Sequence, residues 1–299
     1  MPAVTFDGQP PRKAGTADLS QLAGKSVIVT GGASGLGEAM VRAFSAAGAF
    51  VTIGDIAEER ALKLVAELGG EGRVQFVRCN VTVWKDQVQL FKAAMERSPA
   101  HCIDVVVGNA GVITQETFED VANPGDLDPP EPDFTTIHTT LMGNLFTAKL
   151  AIHYFQLQPE GPGRDRCLIL TASISGYVDH ATLPQYSISK WGIRGFMRAT
   201  RRTLVGKKIR INVLAPWYTR TNILPGQIWD ALESQNTPLA KASDVALAAI
   251  HLAADPTING RSFAVLPREL NPDGYVDLGE DDYAEGSSIE VLQRKVLGA

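Results

Sequence analysis

The sequence predicts an α/β fold in which helices cover both faces of a doubly wound, seven-stranded parallel sheet. The main observation is an alternation, from residue 25 to residue 214, of short β-branched runs with longer helical stretches. The runs are almost continuously apolar, as expected of parallel strands that are covered on both faces. Parallel strands joined by helices need right-handed crossovers, which wind the chain to both sides of the sheet.

Each predicted element follows from its own composition and flanks. Apolar runs predict strands at residues 26–30, 50–54, 74–79, 103–108, 167–171 and 209–214, and a last short strand at 262–266. Apolar residues at helical spacing predict helices at residues 37–47, 58–68, 84–96, 134–155 and 185–205. Two long proline-containing segments, 114–133 and 221–240, are predicted to be loops.

The whole chain, residues 1–299, is predicted to be a single domain. Residues 1–23 form a Pro-rich and polar leader that lacks the apolar core of a signal peptide. Residues 267–299 form an acidic C-terminal extension, which we expect to be solvated or to contact another subunit.

Composition and charge exclude several classes of function. The chain has 299 residues, 44% of them hydrophobic, and a net charge of -5 that is spread along the sequence. This charge offers no basic patch to nucleic acid or to an anionic membrane, and no apolar run reaches the ~20 residues of a membrane-spanning helix. The histidines and cysteines lack metal-ligand spacing, so no metal is predicted. We expect a cytoplasmic protein with no integral membrane segment and no nucleic-acid partner.

A glycine-rich turn follows the first predicted strand and opens a helix. It reads Thr30-Gly31-Gly32-Ala33-Ser34-Gly35-Leu36-Gly37. Gly31 and Gly35 permit a tight turn and a close approach of the backbone to a pyrophosphate, and Gly37 permits close packing of helix on strand. The helix N-terminus offers free N–H groups to the anion. This placement predicts a dinucleotide site of the Rossmann type.

Polar residues stand at the carboxyl ends of the next strands, where open α/β sheets bind their ligands. Asp55 ends the second strand, where a carboxylate accepts hydrogen bonds from both ribose hydroxyls of an adenosine. Because this carboxylate repels a 2′-phosphate, the predicted cofactor is NAD rather than NADP. Asn80-Val81 ends the third strand, where an adenine would rest, and Asn109-Ala110-Gly111 ends the fourth.

Tyr186 and Lys190 are four residues apart in a predicted helix, which places both side chains on one face. A nearby ammonium favours the phenolate and lowers the pKa of a tyrosine from its usual value of about 10. The phenol then becomes a general acid/base nearer neutral pH, and a serine hydroxyl such as that of Ser173 can hold a substrate oxygen. The spacing alone is common on helices, so its interpretation depends on the rest of the chain.

Together these residues resemble the short-chain dehydrogenase/reductase family over residues 22–266. The signatures that agree in order and spacing are Thr30-Gly-x-x-x-Gly35-x-Gly37, Asn109-Ala110-Gly111, Asn144, Ser173 and Tyr186-x-x-x-Lys190. The stretches 105–112 and 186–198 are similar to the branch that oxidises secondary alcohols of lipids, steroids and polyketides. The resemblance implies an oxidoreductase that transfers hydride between NAD and a secondary alcohol or ketone of a hydrophobic substrate, such as a steroid, lipid, terpenoid or polyketide.

The resemblance also implies a role for each matched residue. Tyr186 is the expected general acid/base, Lys190 binds the nicotinamide ribose and lowers the pKa of Tyr186, Ser173 holds the substrate oxygen, and Asn144 anchors a water in a proton relay. The expected cofactor contacts are Gly31, Ser34, Gly35, Leu36, Gly37, Asp55, Asn80, Val81, Asn109, Ala110, Gly111, Tyr186, Lys190, Pro216, Thr219 and Thr221. Members of the family usually pair two long helices, here 134–155 and 185–205, so we expect a homodimer or homotetramer.

The chain departs from the family pattern after the sixth strand. The family usually has Pro-Gly-x-x-x-Thr there, whereas this chain has Pro216-Trp217-Tyr218-Thr219-Arg220-Thr221. If the glycine's conformation needs a positive φ, Trp217 would be strained, and the loop would take another path. Trp217 and Tyr218 are expected either to wall an apolar substrate pocket or to pack into the core. His180 is a candidate substrate contact or a plain loop residue.

Other interpretations stay open at this point. Ser173, Asp179 and His180 together suggest a hydrolase, but the Gly-x-Ser-x-Gly nucleophile elbow is absent around Ser173. An NADP-dependent ketoreductase of the same fold and a non-redox descendant that binds nucleotide remain alternatives to an NAD-dependent dehydrogenase. The intact catalytic signature argues against the non-redox protein, and the atypical Trp217 keeps it open.

Overall fold

The computed structural model describes residues 11–114, 118, 125, 128, 130–161, 164–279, 281, 283 and 286–297. Residues 1–10 of the predicted leader and most of the predicted loop 114–133 lie outside these residues. The strands are β1 Ser26–Thr30, β2 Phe50–Asp55, β3 Val74–Arg78, β4 Val105–Gly108, β5 Arg166–Thr171, β6 Ile209–Pro216, β7 Ser262–Val265 and β8 Tyr275–Asp277.

All of these strands belong to one sheet with the order β3-β2-β1-β4-β5-β6-β7-β8. Neighbouring strands from β3 to β7 are parallel. Strand β1 pairs with β2 on one side and β4 on the other, so the chain reverses its winding direction there, and ligands bind at such a switch point. The predicted doubly wound parallel sheet is confirmed, with one strand more than the seven expected.

Strand β8 lies in the C-terminal extension and pairs antiparallel with β7, where Tyr275 is opposite Val265. The expectation that the extension is merely solvated or subunit-contacting is therefore wrong for this part, because Tyr275 is buried. A strand of three residues, Tyr275–Asp277, is too short to show the alternation that reveals a strand in a sequence. Of the acidic run, Asp281 is buried, whereas Glu280, Asp282 and Glu285 lie outside the described residues.

The described α-helices are α1 Gly35–Ala46, α2 Glu58–Glu67, α3 Trp84–Arg97, α4 Gly143–Leu157, α5 Pro184–Val205, α6 Gly226–Ser234, α7 Ala242–Ala254 and α8 Ser288–Leu297. The five predicted helices are confirmed as α1 to α5, the fourth with a π-helical turn at Ile137–Met142 before α4. Helix α6 lies within the segment 221–240, where a loop is expected. Its Pro225-Gly226 start favours a loop locally, but the buried Trp229 fixes the helix against the body of the protein.

The helices form two apolar layers. Helices α1, α2 and α7 pack on one face of the sheet, where Phe44 and Leu252 are fully buried, and α3, α4 and α5 pack on the other, with Phe91, Phe155 and Met197. Each such side chain contributes roughly 1.5–3 kcal/mol by burial. Both faces are thus covered, so the carboxyl edge of the sheet is the place left for a ligand. No helix within the described ranges is long and apolar enough to cross a membrane.

Candidate active site

A cleft of about 760 Å³ opens at the carboxyl ends of the central strands. All the site residues predicted from the sequence line it except Gly37 and Asn144. These two lie directly behind the lining, Gly37 against Gly31 and Asn144 against the carbonyl of Ala110. The part of the chain that the structure describes contains no group of three or more His, Cys, Asp or Glu side chains able to hold a metal ion.

The glycine-rich turn is shaped by backbone contacts that leave no room for side chains. Gly31 and Gly35 have φ of +65° and +56°, where other L-residues are strained. A Cβ on Gly37 would lie 1.9 Å from the carbonyl oxygen of Gly31, and one on Gly31 would lie 2.8 Å from Cα of Ala110. The side chain of Ser34 does not cap α1, which leaves the helix N-terminus to a ligand.

Asp55 is fixed at the end of β2 by two backbone N–H groups. Ala33 of the glycine-rich turn donates to Oδ2 and Ala57 donates to Oδ1, each at 2.9 Å. The carboxylate thus links the tip of β2 to the turn and keeps a defined place in the cleft.

Asn109 ties the end of β4 to the glycine-rich turn. Its backbone N–H donates to Thr30 Oγ1 at 3.0 Å, and its Nδ2 donates to the carbonyls of Thr30 at 3.1 Å and Gly31 at 3.2 Å. Asn109 therefore shapes the turn as well as lining the cleft. The buried Thr30 side chain also shapes this turn, since its Oγ1 accepts from the backbone N–H groups of Asn109 and Ala110, a role that the sequence does not reveal.

Asn144 sits one residue after the start of α4, just beyond the π-helical turn. Its Nδ2 donates to the carbonyls of Ala110 at 2.9 Å and Thr140 at 2.8 Å, while Oδ1 is buried and accepts no hydrogen bond from a described residue. Single π-helical turns are often found at functional sites. Gly108 leaves the space for this amide, because a Cβ there would lie 2.6 Å from Oδ1 of Asn144.

Tyr186 and Lys190 lie on one face of α5, as their spacing predicts. Nζ of Lys190 is 5.2 Å from the centre of the Tyr186 ring, and it donates to the carbonyl of Thr171 at 2.7 Å. Lys190 is only 4% exposed, whereas Tyr186 is partly open to the cleft. The carbonyl at the end of β5 thus positions the ammonium, a contact that the sequence does not reveal.

The predicted lowering of the Tyr186 pKa by Lys190 is not what the structure gives. Burial raises the pKa of Tyr186 to about 12, although the nearby Ser173 hydroxyl acts in the opposite direction. Burial also lowers the pKa of Lys190 to about 7. A lysine of this kind carries only about half a charge at neutral pH, so in the protein alone desolvation outweighs attraction between the two groups.

Ser173 follows β5 and caps a 3₁₀ turn at Ile174–Gly176. Its Oγ accepts from the N–H of Ser175 at 3.1 Å and is 3.3 Å from the carbonyl of Pro216, to which it donates. Ser173 is 8% exposed, at the floor of the cleft between the end of β6 and Tyr186. Serine, tyrosine and lysine are thus brought together from two separate elements.

The expected strain at Trp217 is absent. Among described non-glycine residues, positive φ occurs only at His101, Lys208 and Asn236. Trp217 continues β6, since its backbone N–H donates to the carbonyl of Val265 at 2.9 Å, and its indole Nε1 donates to the carbonyl of Pro238 at 3.0 Å. The indole both lines the cleft and packs on the apolar core, so the two expected roles coexist.

The segment after Trp217 still returns to the glycine-rich turn. Thr219 pairs with Ala240 in a parallel bridge, and Thr221 lies so close to Gly35 that a Cβ there would be 3.1 Å from it. The indole of Trp229 in α6 donates to the carbonyl of Thr221 at 3.1 Å. Helix α6 therefore takes part in holding this wall of the cleft.

His180 and Tyr218 form a polar pair in the outer part of the cleft. Nε2 of His180 is 2.9 Å from the hydroxyl of Tyr218, whose ring also contacts Trp217 edge to face at 4.9 Å. Nδ1 of His180 is buried and has no partner among described residues. The pair lies among apolar residues that line the same part, Ile174, Val178, Leu183, Ile223 and Leu224.

Comparison with known proteins agrees with this geometry. The short chain dehydrogenase family model matches residues 25–228. The chain is 34% identical over 293 residues to a 5'-hydroxyaverantin dehydrogenase of Dothistroma septosporum, covering 92% of this chain and 93% of that one. It is also 34% identical over 290 residues to the corresponding dehydrogenase of Emericella nidulans, covering 91% and 92%.

A solved structure shows the same fold. The 3-hydroxyacyl-CoA dehydrogenase type-2 of Mycobacterium avium superposes with a TM-score of 0.67 at 32% identity, covering 81% of this chain and 94% of that one. The sequence match, the sheet order and the shared fold agree, and the chain belongs to the short-chain dehydrogenase/reductase family of oxidoreductases.

Proposed function

We propose that the protein is an NAD-dependent oxidoreductase that transfers hydride between the cofactor and the carbinol carbon of a secondary alcohol. The observation that carries this proposal is the convergence of Ser173, Tyr186 and Lys190 in the same cleft as the glycine-rich turn. The expected substrate is hydrophobic: a steroid, lipid, terpenoid or polyketide.

The residues present fit a dinucleotide. The space above Gly31 and Gly35 is closed to a Cβ by neighbouring atoms or by positive φ, as a backbone cradle for a pyrophosphate requires. Gly31, Ser34, Gly35 and Leu36 would hold that group, with Gly37 supporting the turn. Asn80 and Val81 would flank the adenine, and the run Asn109-Ala110-Gly111 would lie near the cofactor. Pro216, Thr219 and Thr221 would lie on the nicotinamide side.

The preference for NAD rests on Asp55. Its carboxylate is held in place by two N–H groups, yet it still lines the cleft. A fixed negative charge here accepts hydrogen bonds from ribose hydroxyls and repels a 2′-phosphate. The residue that follows, Ile56, brings no positive charge to offset it.

The acid/base chemistry is assigned to Tyr186. In oxidation the phenolate oxygen of Tyr186 takes the proton of the substrate alcohol and becomes a hydroxyl group, while Ser173 holds the substrate oxygen. Lys190 binds the nicotinamide ribose, and Asn144 offers its unpartnered Oδ1 to a water that restores the proton. A nicotinamide supplies the hydride acceptor and, when oxidised, a positive charge that favours the Tyr186 phenolate.

The outer part of the cleft supports a hydrophobic substrate. Trp217, Tyr218 and His180 line it together with aliphatic side chains, so one polar pair faces an otherwise apolar surface. Two relatives at 34% identity are named as dehydrogenases of a hydroxylated compound, which supports oxidation of an alcohol here.

We also propose a cytoplasmic homodimer or homotetramer assembled through α4 and α5. Large apolar side chains on these helices are exposed, including Leu157, Ile188 and Trp191. Exposed apolar surface of this kind is what subunits cover.

The test of the function is a Tyr186→Phe variant assayed with hydrophobic secondary alcohols at the NADH absorbance band. We expect turnover to fall by about 100-fold or more, because the general acid/base is lost, while NADH binds with unchanged affinity. Tyr154→Phe, on α4 outside the cleft, is the matched control and keeps full activity. Near wild-type turnover by Tyr186→Phe would contradict the mechanism, and no absorbance change with any alcohol or ketone would favour the non-redox alternative.

The cofactor is tested with Asp55→Asn, which removes the charge and keeps an oxygen for one of the two N–H groups, of Ala33 or of Ala57. The ratio of kcat/KM values for NADP and NAD should rise by about tenfold, since repulsion of the phosphate is lost. Glu58→Gln, at the start of α2, removes an acid outside the cleft lining and leaves the ratio unchanged. A wild-type preference for NADP would instead identify an NADP-dependent ketoreductase.

A further inference from the structure

Asp281 is a buried carboxylate in the C-terminal extension, beyond the residues 25–228 that match the family model. It is 4% exposed. Oδ1 accepts from Nε of Arg194 at 2.7 Å and lies 3.6 Å from a guanidinium nitrogen of Arg198. Oδ2 accepts from Ser262 Oγ at 2.5 Å and from the Tyr177 hydroxyl at 3.4 Å. The extension thus places one negative charge against α5.

Arg194 connects this carboxylate to the turn that Ser173 caps. While Nε of Arg194 faces Asp281, its second nitrogen donates to the carbonyl of Gly176 at 3.1 Å. The guanidinium also lies 4.1 Å from the centre of the Tyr177 ring. Since Gly176 ends the turn Ile174–Gly176 and Tyr177 follows it, Arg194 holds the turn at two points.

The same turn lies directly on the backbone of the catalytic helix. A Cβ on Gly176 would be 2.9 Å from the carbonyl oxygen of Lys190, so only a glycine lets the two backbones approach this closely. Lys190 is four residues before Arg194 and four after Tyr186, so all three lie along one side of α5. A small movement of the turn would therefore change the spacing between Ser173 and Tyr186.

We infer that Asp281 is a positioning residue for hydride transfer: through Arg194 it holds the Ser173 turn against α5 at Lys190. This inference rests on the proposed function. Asp281 touches neither cofactor nor substrate sites, and it acts by orienting a guanidinium whose other bonds fix the turn. Buried charge-assisted hydrogen bonds are strong and directional, and removing one partner leaves a buried charge unpaired.

The experiment compares Asp281→Asn with Asp244→Asn. Asp244 is also a buried carboxylate bound to an arginine of the extension, Arg268 at 2.7 Å, but it has no contact with the Ser173 turn. We expect kcat of Asp281→Asn to fall about tenfold, because catalysis is sensitive to misplacement of reacting groups by less than about 1 Å, while the Kd for NADH changes less than twofold. Asp244→Asn should lower Tm to a similar extent and leave kcat unchanged.

A double-mutant cycle with Arg194→Gln identifies the route of the effect. If Asp281 acts through Arg194, the double variant loses no more kcat than either single variant, because both remove one linkage. Additive losses would overturn that route. If Asp281→Asn fails to fold, Arg194→Lys replaces it, since an ammonium cannot bridge Asp281 and Gly176 as the guanidinium fork does, and the same tenfold loss is expected.

Hydrogen exchange separates this inference from the proposed function. The peptide that spans residues 173–177 should exchange faster in Asp281→Asn than in wild type or Asp244→Asn, whether or not a substrate has been found. Wild-type protein that turns over no alcohol or ketone contradicts the proposed function alone. An active enzyme whose kcat and exchange are unchanged in Asp281→Asn contradicts the inference alone.

Discussion

The two halves of the cleft are built in different ways. The cofactor half, residues 30–37, 55, 80–81 and 109–111, is shaped by glycine conformations and by short-range hydrogen bonds of Asp55 and Asn109 to the backbone of the turn. The substrate half, residues 173–183 and 217–224, also carries Thr219 and Thr221, which would face the nicotinamide. It is shaped by side chains that reach across the fold, such as Trp217 to Pro238 and Trp229 to Thr221. Residues of the glycine-rich turn tolerate almost no substitution, because an added side chain would collide with the neighbouring backbone. In the substrate half a side chain can be replaced while the backbone keeps its course.

This difference explains why Trp217 can stand where relatives of the family usually have glycine. Its φ is not positive, and it extends the pairing of β6 with β7, so the backbone there has no need of glycine. Thr221 still reaches Gly35, because the bridge from Thr219 to Ala240 and the Trp229 indole hold it. The wall is therefore determined by tertiary contacts and not by the residue that begins it.

The largest effect is expected when a single added methyl group disrupts the cofactor half. In Gly37→Ala the new Cβ would lie 1.9 Å from the Gly31 carbonyl oxygen, so the turn or α1 must move. We expect a loss of about 3 kcal/mol in the free energy of unfolding, at the upper end for overpacking, and NADH binding weakened by more than about tenfold. Urea denaturation and fluorescence titration with NADH measure the two quantities.

Gly226→Ala is the matched control at a glycine outside the cleft lining. Gly226 is the first residue of α6 and has no atom within 4 Å of an added Cβ. The same substitution there should leave NADH affinity unchanged and the free energy of unfolding within about 1 kcal/mol. Equal sensitivity of the two glycines would show that the loss in Gly37→Ala does not come from the crowded glycine-rich turn.

The next effect concerns Lys190, which lies where the halves meet. Its pKa is about 7 in the folded protein, against about 10.4 in an unfolded chain. Between these values the unfolded state binds more protons, so the free energy of unfolding rises as pH increases. The rise attributable to Lys190 is on the order of 3 kcal/mol, and Lys190→Met should remove most of it.

Urea denaturation at several values between about pH 6 and about pH 9 measures this slope, below the range where Tyr186 begins to titrate. Lys149→Met, which changes an exposed lysine on α4, keeps the wild-type slope. Parallel curves for wild type and Lys190→Met would mean that the lysine is charged in the folded protein throughout, and that burial does not lower its pKa.

The cofactor half could be predicted from the sequence because its causes are local. The glycines follow one apolar run at fixed spacing, and Asp55 ends the next apolar run. Such patterns indicate backbone geometry directly, and the structure places both features in one cleft. The seven parallel strands could be predicted equally well, since buried strands are continuous apolar runs in the sequence. The helical spacing predicts correctly that Tyr186 and Lys190 share one face of α5. It does not predict the direction in which the Tyr186 pKa shifts, because a spacing of four residues carries no information on burial.

The rest depends on contacts between residues far apart in the chain. Helix α6 opens with Pro225-Gly226, which favours a loop, and the buried Trp229 that fixes it has no local signature. Strand β8 consists of three residues and forms because its backbone pairs with the edge of the sheet at β7. In the sequence Asp281 is one of several acidic residues of the extension, and its partner Arg194 is 87 residues earlier in the chain.

The smallest effect is expected from substitution of Trp217, the residue at which the two halves of the cleft join. In Trp217→Gly the indole and its hydrogen bond to Pro238 are lost, but the pairing with Val265 through the backbone remains. Because the side chain is half-buried, we expect a loss of about 2 kcal/mol in the free energy of unfolding, less than for a fully buried tryptophan. NADH affinity should change less than about threefold, whereas KM for a hydrophobic alcohol should rise severalfold.

Trp217→Phe separates the two contributions of the indole, since it keeps an aromatic ring on the core and in the cleft but cannot donate to Pro238. About 1 kcal/mol of the loss should remain, as for one hydrogen bond, with KM near the wild-type value. A gain of tenfold or more in NADH affinity in Trp217→Gly would show that the indole opposes the cofactor. The wall would then be determined by its first residue, and the proposed division between backbone cradle and side-chain wall would be wrong at the point where the two halves join.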